Sequence, residues 1–248
     1  MYRAHRVAVV VPSFNVESRI SATLRTIPVW VDHVVVVDDG STDSTAAHAS
    51  IIGRPAVSLL RHEKNLGVGA AISSGYRWAL VCGADVVAVM AGDGQMAPSD
   101  LPALLDPVCD GVADYTKGNR FFDPAVWRRM PADRLVGNVL FSLATRLVVP
   151  RWCGFDSQCG YTAVRREALQ LVGTDLYRRY GYPNDLLARL CDAQLRVYDV
   201  PVLAIYDGAP SGVRWRTALR VGWVLLRALL RRFFPGRARR RSHHLLPA

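Results

Sequence analysis

A chain of 248 residues, half of them hydrophobic, is long enough to bury the core of one α/β domain. The net charge of +10 is local: ten arginines and no acid lie between Ser211 and the C-terminus, and they account for the whole excess of 31 basic over 21 acidic residues. The five cysteines (Cys82, Cys109, Cys153, Cys159, Cys191) form no C-x-x-C pair, which argues against a zinc site or disulfide framework and fits a reducing compartment.

The predicted elements begin with Val7–Val11, a β-branched run stopped by Pro12 that reads as a buried parallel strand and is too short for a signal peptide. Glu17–Ile27 has helical apolar spacing. Val34–Val37 is a second buried strand ending in Asp38-Asp39-Gly40, and Ser41-Thr42-Asp43 can cap the helix that follows. A third strand, Ala56–Leu60, precedes the Gly67/Gly69 turn and a helix through Leu80. The fourth strand, Val86–Met90, runs into Gly92-Asp93-Gly94-Gln95. In the less regular second half we expect strands at Tyr115–Arg120, Gly160–Ala163 and Arg196–Val200, with helices at Asp133–Val148 and Asn184–Asp192. The alternation predicts an α/β fold: a single open, mostly parallel nucleotide-binding sheet flanked by helices. No stretch reaches the ~18 apolar residues of a membrane-spanning helix.

Polar clusters fall where strands one, two and four should end: Pro12-Ser13-Phe14-Asn15, then Asp38-Asp39, then Asp93 with Gln95. Strand ends of this kind form the ligand crevice of an open sheet. No G-x-G-x-x-G follows the first strand, so a Rossmann-type pyrophosphate cradle is not offered. Carboxylates beside a phosphate-bearing ligand repel it unless a divalent cation lies between them. Asp93 and Gln95 supply hard oxygen ligands suited to Mg²⁺ or Mn²⁺.

These residues resemble the family 2 glycosyltransferases, and within them the polyprenyl-phosphate branch typified by dolichol-phosphate mannose synthases, over most of residues 7–205. Val11-Pro12-Ser13-Phe14-Asn15 looks like the family's P-x-[YF]-N opening, Val37–Thr45 its V-D-D-G-S-x-D-x-T, and Asn65–Ala70 its N-x-G-x-[GA]-x-A turn. The resemblance implies a GT-A-like fold with the nucleotide-sugar bordered by Pro12, Ser13, Phe14, Asn15, Glu17, Asp38, Asp39, Gly67 and Asp93, Asp39 lying against base or ribose. Ala91-Gly92-Asp93-Gly94-Gln95 departs from the family's D-x-D-x-Q by one residue, Ala91 standing where the first Asp would be, so the metal ligands are Asp93 and Gln95. Arg120 and Arg134 match positions that contact phosphate. Asp156, in a variant of D-x-x-S-G-F, and Asp185, before a helix, match residues at the acceptor end.

The implied reaction is transfer of a hexose, with inversion, from a nucleoside-diphosphate sugar to a polyprenyl phosphate; a sugar hydroxyl acceptor or a non-catalytic relative is the alternative. A phosphate acceptor needs no strong base, because its second ionisation lies near ~6. A hydroxyl acceptor needs Asp156 or Asp185 to take its proton. Residues 217–234 read as a basic amphipathic helix, with Arg216, Arg220, Arg227 and Arg231 near one face and Trp223, Leu226, Leu230, Phe233 and Phe234 elsewhere. The expected organisation is a catalytic unit over 1–210 and a membrane-surface helix with basic tail over 211–248. The expected location is peripheral, on the cytoplasmic face of a membrane. A nucleic-acid partner is not expected, since acidic strand ends repel a phosphate backbone.

Overall fold

The computed structural model describes residues 1–52, 57–203, 205–206 and 215–233. In the first half β1 (Val7–Ser13), α1 (Glu17–Thr26), β2 (His33–Asp38), α2 (Thr45–Ser50), β3 (Val57–Arg61), α3 (Val68–Val81) and β4 (Val86–Val89) alternate. The second half adds α4 (Leu101–Cys109), β5 (Tyr115–Asn119), α5 (Val126–Arg129), α6 (Ala132–Val148), β6 (Thr162–Arg165), α7 (Arg166–Val172), α8 (Tyr182–Asp192), β7 (Val197–Pro201) and α9 (Trp215–Phe233). The strands form one sheet in the order β3-β2-β1-β4-β6-β5-β7. It is mostly parallel, as expected; only β6 runs antiparallel, to both β4 and β5.

The valine runs become central strands because helices cover both sheet faces. Ala8, Val10, Val35 and Val37 point into one core with Ile72, Tyr76, Leu186 and Leu187. Val7, Val9, Val11, Val34 and Val36 point into the other with Ile20, Leu24, Leu101 and Leu104. Burying a side chain of this size contributes about 1.5–3 kcal/mol, so the alternation fixes the register as well as the fold.

Several expected boundaries shift. β6 starts at Thr162 instead of Gly160, α8 at Tyr182 instead of Asn184, and Ala56 of the expected third strand lies outside the described residues. The sequence reading misses α4, which carries Pro107 inside it, and the short α7. The boundary expected at residue 210 and the Arg237–Arg241 run also lie outside the described residues. α9 is present and packs on α8 and α6, its Ala228 belonging to the core that holds Leu186 and Leu187. Among the described residues no helix is long and apolar enough to cross a membrane.

Candidate active site

Three neighbouring strands, β2, β1 and β4, deliver the expected clusters to one edge of the sheet. Ser13 pairs with Asp38 across β1 and β2. Its carbonyl accepts from Asp39 N at 2.9 Å, and the Pro12 carbonyl accepts from Gly92 N at 3.2 Å. Asp39 and the Gly92–Gln95 turn therefore flank the same Pro12-Ser13 segment.

The Phe14–Glu17 loop is laced to the loop after β2. Asn15 N donates to Ser41 Oγ at 3.0 Å, and Asn15 Oδ1 accepts from Thr42 N at 3.0 Å. Asn15 adopts φ +51°, a left-handed conformation that Asn tolerates better than most residues. Glu17 Oε2 accepts from Ser44 N at 2.8 Å. Asp43, one of the expected capping residues, accepts from Thr45 N at 3.0 Å and Thr45 Oγ1 at 2.6 Å at the start of α2. Phe14 is exposed at the rim.

Both aspartates at the end of β2, Asp38 and Asp39, are buried. Asp38 Oδ1 accepts from Ser41 N at 3.0 Å, and Oδ2 lies 3.2 Å from Arg61 Nε. The Asp39 carboxylate holds the Asn65–Gly67 turn: Oδ1 accepts from Leu66 N at 3.0 Å and Oδ2 from Gly67 N at 2.7 Å. His62 Nδ1 is 2.7 Å from Asp39 Oδ1, and Nε2 is 3.0 Å from Ser74 Oγ. An ionised carboxylate only accepts, so Nδ1 carries the proton. The Asp39 carboxylate thus braces this turn, and His62, bonded to it, is a neighbour that no sequence motif disclosed. Gly67 has φ +106°, open to glycine at little cost. The 174–181 loop closes over this turn: Ala70 N donates to Arg178 O at 3.1 Å and Arg179 Nη1 to Asn65 Oδ1 at 2.7 Å.

At the end of β4, Asp93 Oδ1 accepts from Gln95 N at 3.1 Å, and Arg19 Nη1 donates to Asp93 O at 3.2 Å. Among the described residues no three His, Cys, Asp or Glu side chains cluster as a metal cage. One carboxylate plus one amide is nonetheless the ligand set Mg²⁺ accepts when substrate phosphates and waters complete its shell. Burial raises the Tyr180 pKa; Asp93 adds to the rise and Arg134 opposes it, so both charges act on one phenol.

Of the residues expected at the phosphate contacts and the acceptor end, Arg120 directly follows β5 and Asp156 lies on the segment before β6. Arg120 forks onto Asp156: Nε donates to Oδ2 at 2.7 Å and Nη2 to Oδ1 at 2.9 Å, while Arg120 N donates to Oδ2 at 3.1 Å. Complete burial alone would push the Asp156 carboxyl up. The Arg120 charge and hydrogen bonds, with Lys117 behind, outweigh that and hold it below the usual carboxylate range. Lys117 itself is buried, donates to the Cys159 carbonyl, and has its pKa lowered by desolvation. Arg134 lies 5.9 Å over the Tyr206 ring. The Tyr206 pKa is raised by burial, with Arg120, Asp156 and Arg134 all acting on it. Its Oη is buried without a hydrogen-bond partner among the described residues. Arg120, Arg134 and Asp156 are therefore brought together, and Tyr180 and Tyr206 are additions that the sequence did not single out.

Asp185 sits elsewhere. Its Oδ2 accepts from Arg189 Nη2 at 2.7 Å and Tyr177 N at 3.1 Å, and its Oδ1 from Arg231 Nη2 at 3.0 Å. It is a junction between α8, the 174–181 loop and α9.

The family model for glycosyl transferase family 2 matches residues 8–173, two thirds of the chain. The chain belongs to that family. Among its relatives is an undecaprenyl-phosphate mannosyltransferase of Micrococcus luteus, 30% identical over 245 residues, 91% of this chain and 99% of that one. A UDP-N-acetylglucosamine–dolichyl-phosphate N-acetylglucosaminyltransferase of Methanococcus voltae is 28% identical over 79% of this chain and 84% of its own. A polyprenol monophosphomannose synthase of Mycolicibacterium smegmatis is 33% identical over 68% of this chain and 65% of its own. Among solved structures, glucosyl-3-phosphoglycerate synthase from Mycobacterium tuberculosis, in complex with Mn²⁺, UDP and phosphoglyceric acid, superposes with a TM-score of 0.72 at 22% identity. That match covers 91% of this chain and 79% of the synthase, and it shows the GT-A fold. As a member of the family this protein is an enzyme that transfers sugars.

Proposed function

We propose that this enzyme moves a hexose, with inversion, from a nucleoside-diphosphate sugar to a polyprenyl phosphate at the cytoplasmic face of a membrane. One observation carries the choice of acceptor: both carboxylates that would serve a hydroxyl acceptor as base are engaged. Asp156 is buried against Arg120 and its pKa is lowered, which makes it a poor proton acceptor. Asp185 is held by two arginines and a backbone N–H. An acceptor that brings its own charged oxygen needs neither. The relatives named for dolichyl, polyprenol and undecaprenyl phosphates support the same reading.

In this scheme the Pro12–Glu17 and Asp38–Gly67 loops bind the nucleoside. Asp93 and Gln95 would hold Mg²⁺ or Mn²⁺, which would supply positive charge against the donor diphosphate. Arg134 and the buried Tyr206 hydroxyl bind the acceptor phosphate, and Arg120, fixed by Asp156, adds positive potential. Residues 1–210 are the catalytic unit, and the helix beyond attaches it to the membrane surface.

The test is transfer of labelled sugar from GDP-mannose, UDP-glucose or UDP-N-acetylglucosamine into the organic phase, with polyprenyl phosphate or unphosphorylated polyprenol as acceptor. Label entering lipid only with the phosphate supports the reading. Equal labelling of polyprenol, or transfer only to water-soluble glycans, overturns it.

A further inference from the structure

Helix α6 is inside out. Its buried positions are polar: Asn138, Ser142 and Thr145, spaced i, i+4, i+7. They join a hydrogen-bonded layer in which Ser157 N donates to Ser142 Oγ at 3.0 Å and Asn184 Nδ2 to Thr145 Oγ1 at 2.6 Å. Its exposed side carries the large apolar residues Val136, Leu140, Leu143 and Leu147, spaced i, i+4, i+7, i+11, with Leu147 84% exposed and only Asp133 and Arg146 as exposed charges among them. A helix on a water-facing surface carries the opposite pattern.

Helix α9, packed against α6, has apolar stripes on two opposite sides. Val221, Val224, Leu225 and Ala228 are buried against the body. Leu219, Trp223, Leu226, Leu230 and Phe233, again at i, i+4, i+7, i+11, i+14, are exposed. Two contacting helices thus each leave a continuous apolar stripe uncovered, more than scattered surface leucines would amount to.

Charge decides what covers them. Arg128, Arg129, Arg146 and Arg227 are exposed on α5, α6 and α9, and Asp133 is the sole acid on these three helices. A second copy of the chain, docked through the same face, would set these arginines against their own counterparts with almost no acid to receive them. Anionic head groups above an apolar layer match both features.

We propose that α6 and α9 together form one lipid-contacting face, with the α6 leucines entering the head-group region of an anionic bilayer. α6 also carries Arg134, over Tyr206, in its first turn, so a single helix runs from the acceptor side of the site into the membrane interface. The inference deepens the membrane reading above, which rests on α9 alone, and it is tested without any sugar transfer.

The full chain is sedimented with vesicles of phosphatidylcholine containing phosphatidylglycerol, and with phosphatidylcholine alone. The Leu140→Gln/Leu143→Gln variant alters exposed positions only, and its thermal transition checks the fold. The expected result is that wild type prefers the anionic vesicles and that the variant's partition coefficient falls about tenfold or more. Leu226→Gln/Leu230→Gln on α9 should fall comparably. If the double α6 variant misfolds, Leu147→Gln is expected to give a several-fold loss. An α6 variant that partitions like wild type while the α9 variant falls would overturn the proposal. So would a wild-type dimer that the α6 substitutions convert to monomer with no change in lipid binding. Absence of glycosyl transfer with intact partitioning would count against the proposed reaction and leave this face standing.

Discussion

Arg231, from the last described helix, donates to Asp185 Oδ1 at 3.0 Å, while the other oxygen of the same carboxylate holds Tyr177 N. The carboxylate is buried and the arginine half-buried. The pair ties α9 to the loop that closes over the Asn65–Gly69 turn. Arg231, read from the sequence as part of a head-group-facing row, instead turns inward. Asp185→Asn is expected to lower unfolding free energy by about 1–3 kcal/mol, because it leaves two partly desolvated guanidiniums short of a charge. In a urea-denaturation cycle with Arg231→Gln the two losses should not add. A hundredfold fall in kcat with stability unchanged would instead make Asp185 a chemical base.

Arg120→Ala strips a fully buried carboxylate of its main partner, and should cost about 3 kcal/mol or more in denaturant unfolding. Arg120→Lys loses the fork but keeps the charge, and should cost less. The pH dependence has a definite sign. The folded-state pKa of Asp156 lies below its unfolded value, so its contribution is complete above about pH 4 and is lost as pH falls through the folded value. The stability gap between wild type and Asp156→Asn should therefore narrow on acidification below about pH 4, and a gap constant with pH would contradict this origin.

Gly67 combines φ +106° with a close approach to the Arg178 backbone. Gly67→Ala should raise the donor KM several-fold with a smaller change in kcat, because it displaces the turn braced by Asp39 and not the reacting groups. Isothermal titration with the nucleoside diphosphate gives the same readout directly.

Asp93→Ala should abolish metal-stimulated transfer, a loss of about a hundredfold or more if the cation neutralises the leaving diphosphate. Ala91→Asp adds a carboxylate two residues before Asp93 and should lower the Mn²⁺ concentration for half-maximal activity. Wild type that keeps its full activity in excess chelator, with Asp93→Ala equally active, would remove the metal from the scheme.

The donor half is legible because each central strand is a run of β-branched residues that ends abruptly in a polar cluster. Local composition and tertiary role agree at Val7–Ser13, His33–Asp38 and Val86–Val89. The acceptor half is harder. Pro107 lies inside α4, so a helix-breaking signal sits in a real helix, tolerated because Leu101, Leu104 and Leu105 anchor it to the sheet. The apolar spacing of α6 correctly marks a helix, yet the same spacing points away from the protein core. His62, Tyr180 and Tyr206 enter the site through chain folding alone. A motif marks Asp39, but its hydrogen bonds to Leu66 and Gly67, 27 and 28 residues away, are visible only in three dimensions.

Strand β4 has β1 on one side and, on the other, β6, whose residues are synthesised more than 70 positions later. A nascent chain ending before Thr162 therefore exposes one bare row of β4 amides and carbonyls beside an already assembled valine-rich sheet. Such an edge invites pairing with other chains. Fragments cut between the two halves are consequently poor candidates for isolated expression, and a chaperone holding the growing polypeptide has most to do in the interval before residues 162–165 emerge.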